Sequence, residues 1–262
     1  MAKFSDYFRP PKPIIGMIHL PPLPGYAGTK GIDHAISHAL ADLRVLQRGG
    51  VDGVLIENEY DRPHRVSATH ETIAAMTQIT RAVVQESDSL VVGCEILLND
   101  PQASLTVAKA SGAAFIRTDY FVDRMTRPAF GEFHIDPDAL IAYRSEIGAD
   151  DVLILADIQV KYATMVEPRP LRDSALLASA KGADAVVITG DKSGDAPSFQ
   201  HLREASGCGV PVLIGSGLDC RNAAALLAEC GGAIVGTSIM QEQAVSLEKL
   251  ERLLLHARRE VG

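Results

Sequence analysis

Short runs of aliphatic and β-branched residues recur along the chain, each followed by polar or small residues and then by a stretch of helical periodicity. Eight runs stand out, at residues 14–20, 53–57, 90–96, 114–118, 152–157, 185–189, 211–215 and 233–236. None alternates strictly between apolar and polar positions, so each predicts a strand buried on both faces. Such strands separated by helical stretches predict a parallel sheet covered by helices. A glycine pattern precedes several of the runs, with Gly50, Gly112, Gly182 and either Gly231 or Gly232 placed where a helix ends. There the chain must turn through the left-handed region before the next strand, which glycine does without a Cβ penalty. Asp100-Pro101 and Asp136-Pro137 each supply a cap followed by a proline in the first turn of a helix. Residues 246–259 read as an amphipathic closing helix with Leu247, Leu250, Leu253, Leu254 and Ala257 on one side.

The same strand-and-helix grammar runs from end to end with no Pro/Ser-rich linker or charge block. It therefore predicts an α/β fold, a single (β/α)8 barrel over residues 1–262, in which residues 1–13 are an N-terminal extension leading into the first strand. An open doubly wound sheet is the alternative. At 262 residues, 47% hydrophobic and 22% charged, the chain is long enough for one such barrel with a full core. Its net charge of −8 opposes nucleic acid, whose binding requires clustered Lys and Arg. No apolar run approaches the roughly 18–20 residues that span a bilayer, and the N-terminus carries charge and prolines instead of a signal-peptide core, so membrane insertion is not expected and the reading is a cytoplasmic protein. Cys94, Cys208, Cys220 and Cys230 lack CxxC pairing and read as buried free thiols. His34 and His38 share i,i+4 spacing but lack the Glu of HExxH and a placed third ligand, so neither a metal nor a cofactor is expected.

In a barrel of this kind the chemistry sits at the C-terminal ends of the strands and in the loops that follow. Two glycine turns late in the chain, Gly215-Ser216-Gly217 and Gly236-Thr237-Ser238, each precede a predicted helix. Glycines let a backbone approach an anion closely and helix-start amides point at it, so these six residues are the candidate phosphate site; as plain tight turns and caps they would have no ligand. Asp157 and Lys161 are four residues apart across the end of the fifth strand. They either act together on substrate, the lysine also being able to form a Schiff base, or make an ordinary ion pair. Glu57 ends a wholly apolar strand and acts as a base or binds hydroxyls, unless it is buried against a basic partner. His19 is a candidate general acid or base, or a histidine bonded within the barrel rim. Asn58, Glu95, Asn99, Arg117, Asp119 and Thr189 complete the set as candidate substrate-binding residues, Arg117 facing either the barrel interior or a helix. The prolines at 21, 22 and 24 read as a stiff wall beside the pocket.

The segment Gly16-Met17-Ile18-His19-Leu20-Pro21-Pro22-Leu23-Pro24-Gly25 resembles the hallmark of the BtpA/SgcQ family. The likeness continues through Gly53 to Asn58, Leu98-Asn99-Asp100, Phe115-Ile116-Arg117, Asp157 to Lys161, Val187 to Gly190 and both late glycine elements. The resemblance implies a barrel of the ribulose-phosphate-binding type. It also implies two contexts, since one branch of the family is associated with photosystem I biogenesis and another with sugar-utilisation operons. Leu98, Asp119, Tyr162 and Glu59-Tyr60 depart from that pattern, where relatives commonly carry Arg, Asn, His and Phe-Gly.

Two functions of different class follow. The first is a phosphate-binding enzyme of carbohydrate metabolism that acts on a small phosphorylated sugar or ribosyl compound by isomerase, lyase or glycosyl-bond chemistry. The second is a non-catalytic assembly or stability factor that works through protein contacts. The aliphatic helix surfaces leave homo-oligomerisation open.

Overall fold

The computed structural model describes residues 2–9, 11–128, 130–192 and 194–258. Eight parallel strands close into a barrel: β1 (Ile14–His19), β2 (Gly53–Glu57), β3 (Val91–Glu95), β4 (Phe115–Thr118), β5 (Leu153–Asp157), β6 (Ala185–Ile188), β7 (Val212–Ile214) and β8 (Ala233–Val235). Every strand falls inside the run that predicts it, and β8 pairs with β1 through Ile14 and Ala233, which excludes the open sheet. A helix follows each strand: α1 (Ile32–Gly49), α2 (His70–Glu86), α3 (Pro101–Ser111), α4 (Pro137–Glu146), α5 (Leu171–Ala180), α6 (Phe199–Ala205), α7 (Ala223–Ala228) and α8 (Leu247–Ala257).

The expected local devices form. The Asp100 carboxylate accepts from the Ala103 amide and that of Asp136 from Asp138 and Ala139, with a proline in the first turn of each helix. Gly50, Gly112 and Gly182 adopt φ of +84°, +84° and +90°, whereas Gly232 stands at +150° with Pro13 O only 2.7 Å from the place of a Cβ. At that last site both a positive φ outside the left-handed helical well and close packing against Pro13 select glycine. Helix α8 lies on α1, where Gly49 leaves room for the Leu250 side chain; Arg259, the last residue of the predicted closing helix, lies outside the described residues.

Strand alternation divides the core in two. Ile14, Ile18, Val54, Ile56, Ile116, Ile154 and Ile214 face the helices. Ile15, Met17, Leu55, Phe115, Leu153, Leu155, Val187, Leu213 and Ile234 fill the barrel. The N-terminal extension takes part in this inner core. Its one helical turn, Phe4–Tyr7, brings Phe4 and Phe8 together with ring centroids 4.6 Å apart, and Phe8 reaches Phe115 at 5.9 Å, so the floor of the barrel is stoppered with aromatic rings. Gly93 makes room for this packing, because a Cβ there would stand 2.2–2.4 Å from the Phe115 ring. Gly93→Ala is expected to destabilise the fold by about 1–3 kcal/mol through overpacking, read as a lower urea midpoint. Combining it with Phe115→Leu should restore much of the loss, and an unchanged midpoint in the single variant would refute the packing account.

Two segments after β4 and β5 build a further sheet. Met125–Arg127, Gly131–Phe133 and Thr164–Met165 pair antiparallel in the order Gly131–Phe133, Met125–Arg127, Thr164–Met165. Beneath it Leu98, Tyr120, Met125, Phe133 and Val160 form a separate small core, with the Tyr120 and Phe133 rings stacked at 5.0 Å. Among the described residues no helix is long and apolar enough to cross a membrane.

Candidate functional site

The alternation that points Met17, Leu55 and Leu155 into the barrel carries on to the strand ends and fixes what reaches the mouth. By parity the topmost inward positions are His19, Glu57, Glu95, Arg117, Asp157, Thr189, Gly215 and Gly236. Five consecutive strands, β1 to β5, supply ionisable groups, and β7 and β8 supply glycines. Above them opens a cavity of about 980 Å³ that takes in His19, Glu57, Glu95, Arg117, Asp119 and Lys161 together with all six residues of the two glycine turns.

Arg117 is the hub of the charged side. Strand register places Arg117 opposite Leu155 on β5, and its guanidinium donates from Nε to Asp157 Oδ2 and from a terminal nitrogen to Oδ1, both at 2.8 Å. Arg117 therefore faces the interior. The pairing of Asp157 with Lys161 that the spacing suggested is not formed: Asp157 is 1% exposed and held by Arg117, and two separate strands, not one loop, bring the partners together. Lys161 instead stands near Glu57 and Asp119, favouring the charged form of both.

With its fork engaged on Asp157, Arg117 leaves Glu95 Oε2 at 3.9 Å from Nε and without a hydrogen-bond partner among the described residues. Burial, which Glu57, Asp119 and Asp157 reinforce by repulsion and Arg117 opposes, holds Glu95 well above the usual carboxylate range. Glu57, its register neighbour on β2, has the opposite fate. Burial alone would raise it, but His19, whose Nε2 lies 3.5 Å from Glu57 Oε2, together with Arg117, contact from Glu95 and Lys161 hold its carboxyl below the ordinary value. Two neighbouring carboxyl groups pushed apart in this way have the electrostatics that suit one to give a proton and the other to take one. Asp119 is raised to about 7, first by burial and then by Asp157, with Arg117 and Lys161 in opposition.

The glycine side has less free capacity than its sequence suggests. The Gly215 amide donates to Ile188 O, and the Ser216 hydroxyl donates to Asp195 O at 2.8 Å while accepting from the Gly190 amide. Gly217, at φ +71°, lies so close to Asp195 and Ala196 that no Cβ fits. The helix that follows begins only at Ala223, and Thr237 opens a single 3-10 turn, so neither turn has the full helix start expected. What remains is local: among the described residues the amides of Gly217, Thr237 and Ser238 have no acceptor within the chain. Both turns border one cavity, with Arg221, Lys249 and Arg252 beside them.

Several candidate residues are placed elsewhere. Asn58 is fully buried and taken up by Asp61 and the backbone of Leu97. Asn99 bonds Asp119 O, the Asp119 amide and the Thr118 hydroxyl. Thr189 keeps its inward place, its Cγ2 3.0 Å from where a Gly215 Cβ would stand, but borders a smaller cavity of about 340 Å³, and its buried hydroxyl lacks a partner among the described residues. The proline run does not border the large cavity; Leu20 and Leu23 within it are buried in the outer core, and Asp61 accepts from the Leu23 amide. His38 lies 3.6 Å from Asp42, whose other oxygen accepts from the Val245 amide, so that pair ties α1 to the chain entering α8. Arg127, Phe130, Lys249 and Arg252 line the mouth without having drawn notice in the sequence. The i,i+3 spacing of Lys249 and Arg252 on α8 was the available signal for two of them.

Residues 10–254 match the model of the BtpA family. An uncharacterized protein of Archaeoglobus fulgidus is 35% identical over 94% of this chain and 99% of its own length. The photosystem I biogenesis protein BtpA of Synechocystis sp. is 33% identical over 88% of this chain and 82% of its own. Among solved structures, thiamine phosphate pyrophosphorylase from Pyrococcus furiosus aligns with a TM-score of 0.60 at 16% identity over 97% of this chain and 99% of that one. N-(5'-phosphoribosyl)anthranilate isomerase from the same organism aligns with a TM-score of 0.58 at 13% identity over 94% and 98%. At such identities the structural likeness establishes the barrel fold alone.

Proposed function

The chain belongs to the BtpA family, and from that premise and the make-up of the mouth we propose that it is a phosphate-binding barrel enzyme acting on a small phosphorylated sugar or ribosyl compound. The observation that carries this reading is the opposition, within one cavity, of two glycine turns with unengaged amides and a cluster of acids around Arg117. The phosphate sits against Gly217, Gly236, Thr237 and Ser238, with Gly215 and the Ser216 backbone shaping the turn and the nearby cations favouring the anion. On the other side Glu57 accepts a proton, Glu95 delivers one, and His19 and Lys161 bind hydroxyl or carbonyl oxygens of the substrate. Asp157 acts through Arg117 as a positioning residue. Proton movement between adjacent carbons or onto a departing oxygen is the chemistry this pair supports.

A panel of aldose, ketose and ribosyl phosphates tests the reading by thermal shift and by turnover. A ligand at about a hundred times its Kd stabilises by about 2.7 kcal/mol, roughly 5 °C or more for a chain of this size. Thr237→Asp, an exposed position where an added carboxylate repels the phosphate, is expected to remove the shift without lowering the ligand-free melting temperature. Neither stabilisation nor turnover across the panel, or a shift that survives Thr237→Asp, would defeat the proposal.

One observation favours a second reading, an assembly factor working through protein contacts: the name of the Synechocystis relative. Under that reading Lys161→Ala leaves cellular function intact and a partner protein copurifies; under the enzymatic reading Lys161→Ala abolishes function.

A further inference from the structure

A phosphorylated pentose is smaller than the drug-sized ligands that fill pockets of about 300–1,000 Å³, and the mouth, at about 980 Å³, lies at the upper end of that range. Part of the remaining space is walled by the segments after β2 and β3, through Arg62, His64 and Leu98, and part by the small sheet built after β4 and β5 and the turns beside it. Around the closed barrel these strands lie across the axis from β8, and so across from the second glycine turn. The lid presents two aromatic rings to the cavity, Phe130 and Tyr162, at 38% and 46% exposure, while Tyr120 and Phe133 beneath them are buried. Phe130 covers that core from one side, its ring centre 6.1 Å from that of Phe133, and both outer rings keep exposed surface at the cavity. Arg127 places its flat guanidinium 5.7 Å from the Phe130 ring centre and 5.9 Å from that of Tyr162, an arrangement in which a planar cation already lies against both rings. Tyr162 adopts φ +62°, a left-handed conformation that is uncommon for a bulky residue and concentrates at ligand clamps.

We propose that the mouth takes a two-part ligand: a phosphate at the turns after β7 and β8, and a flat heteroaromatic ring stacked on Tyr162 and Phe130 beneath the lid, so that the ligand is a nucleotide-like ribosyl phosphate. This rests on the phosphate reading above and narrows it. Arg127 either stays stacked on the far face of the rings or pairs with polar edges of the heterocycle. Every heterocycle has a π-face, so the clamp selects planarity before it selects a particular base.

The test is calorimetric titration of the full chain with inorganic phosphate, ribose 5-phosphate, AMP and UMP. Stacking of one base contributes a preference of about fivefold to a hundredfold, so at least one nucleotide is expected to bind about fivefold or more tightly than ribose 5-phosphate. Tyr162→Ala should cancel that preference while leaving ribose 5-phosphate affinity as it was, and Tyr162→Phe should keep it. Equal affinities for nucleotides and ribose 5-phosphate in the wild type overturn this proposal and leave the phosphate site standing. A preference that survives Tyr162→Ala combined with Phe130→Ala overturns it as well. If none of the four probes binds while another sugar phosphate does, this inference fails alone; if no phosphate compound of either set binds, the phosphate reading fails and this inference with it.

Discussion

Arg117→Met is expected to destabilise the protein by about 3–5 kcal/mol, because removal of one partner leaves buried carboxyl groups uncompensated. For a chain of this size that is a fall in melting temperature of roughly 10 °C. The guanidinium satisfies both oxygens of Asp157 and is the nearest cation to Glu95, so its loss strands two acids in the upper barrel at once. Arg117→Met combined with Asp157→Leu should recover most of the stability, since replacing a whole buried pair by apolar groups is often close to neutral. A single variant that melts together with the wild type would show that the pair contributes nothing, and a double variant no better than the single would show that the loss lies in packing. Urea or thermal unfolding followed by circular dichroism reads both.

Asp119→Asn should act in the opposite sense and only at higher pH. The folded protein holds the Asp119 proton up to a pKa of about 7, whereas the unfolded chain releases it near the ordinary value of 3.8. Between those limits the folded state binds more protons, so the wild type loses stability as pH rises from about 4 through about 7. Asparagine carries no such penalty. Its advantage should be absent near pH 4, grow to about pH 7, then level off at of order 2–4 kcal/mol, the linkage value of about 1.4 kcal/mol per unit being reduced for the partial exposure of the side chain. Melting curves of both proteins across that range check this, and an advantage independent of pH would sink it.

How much of this was legible in the sequence depends on how local each signal is. The strands were readable because a buried parallel strand is a continuous apolar run, and Gly53–Glu57 coincides with its run at both ends. The inward set at the mouth followed from the same strands once the barrel closed. Arg117 and Asp157 were not paired in advance because they are 40 residues apart and meet through the register of β4 with β5; Lys161, four residues away, was the nearer partner on paper only. The lid escaped notice for another reason. Strands of two or three residues, such as Thr164–Met165, are too short to carry any periodicity, and Phe4 and Phe8 offered only one i,i+4 pair of rings in a stretch that otherwise reads as a leader into β1. The free capacity of the glycine turns also lay beyond the sequence, since it was decided by contacts from Asp195 and Gly190.

The aromatic stopper under the barrel has a consequence for traffic. With Phe8 stacked on Phe4 and tilted against Phe115 across its lower end and aliphatic layers above them, the described residues fill the barrel as a core and not a pore, so what enters the mouth leaves by the same doorway. Under the enzymatic reading proposed above, reactant and product then compete for one passage, and a spent molecule that lingers blocks the next arrival.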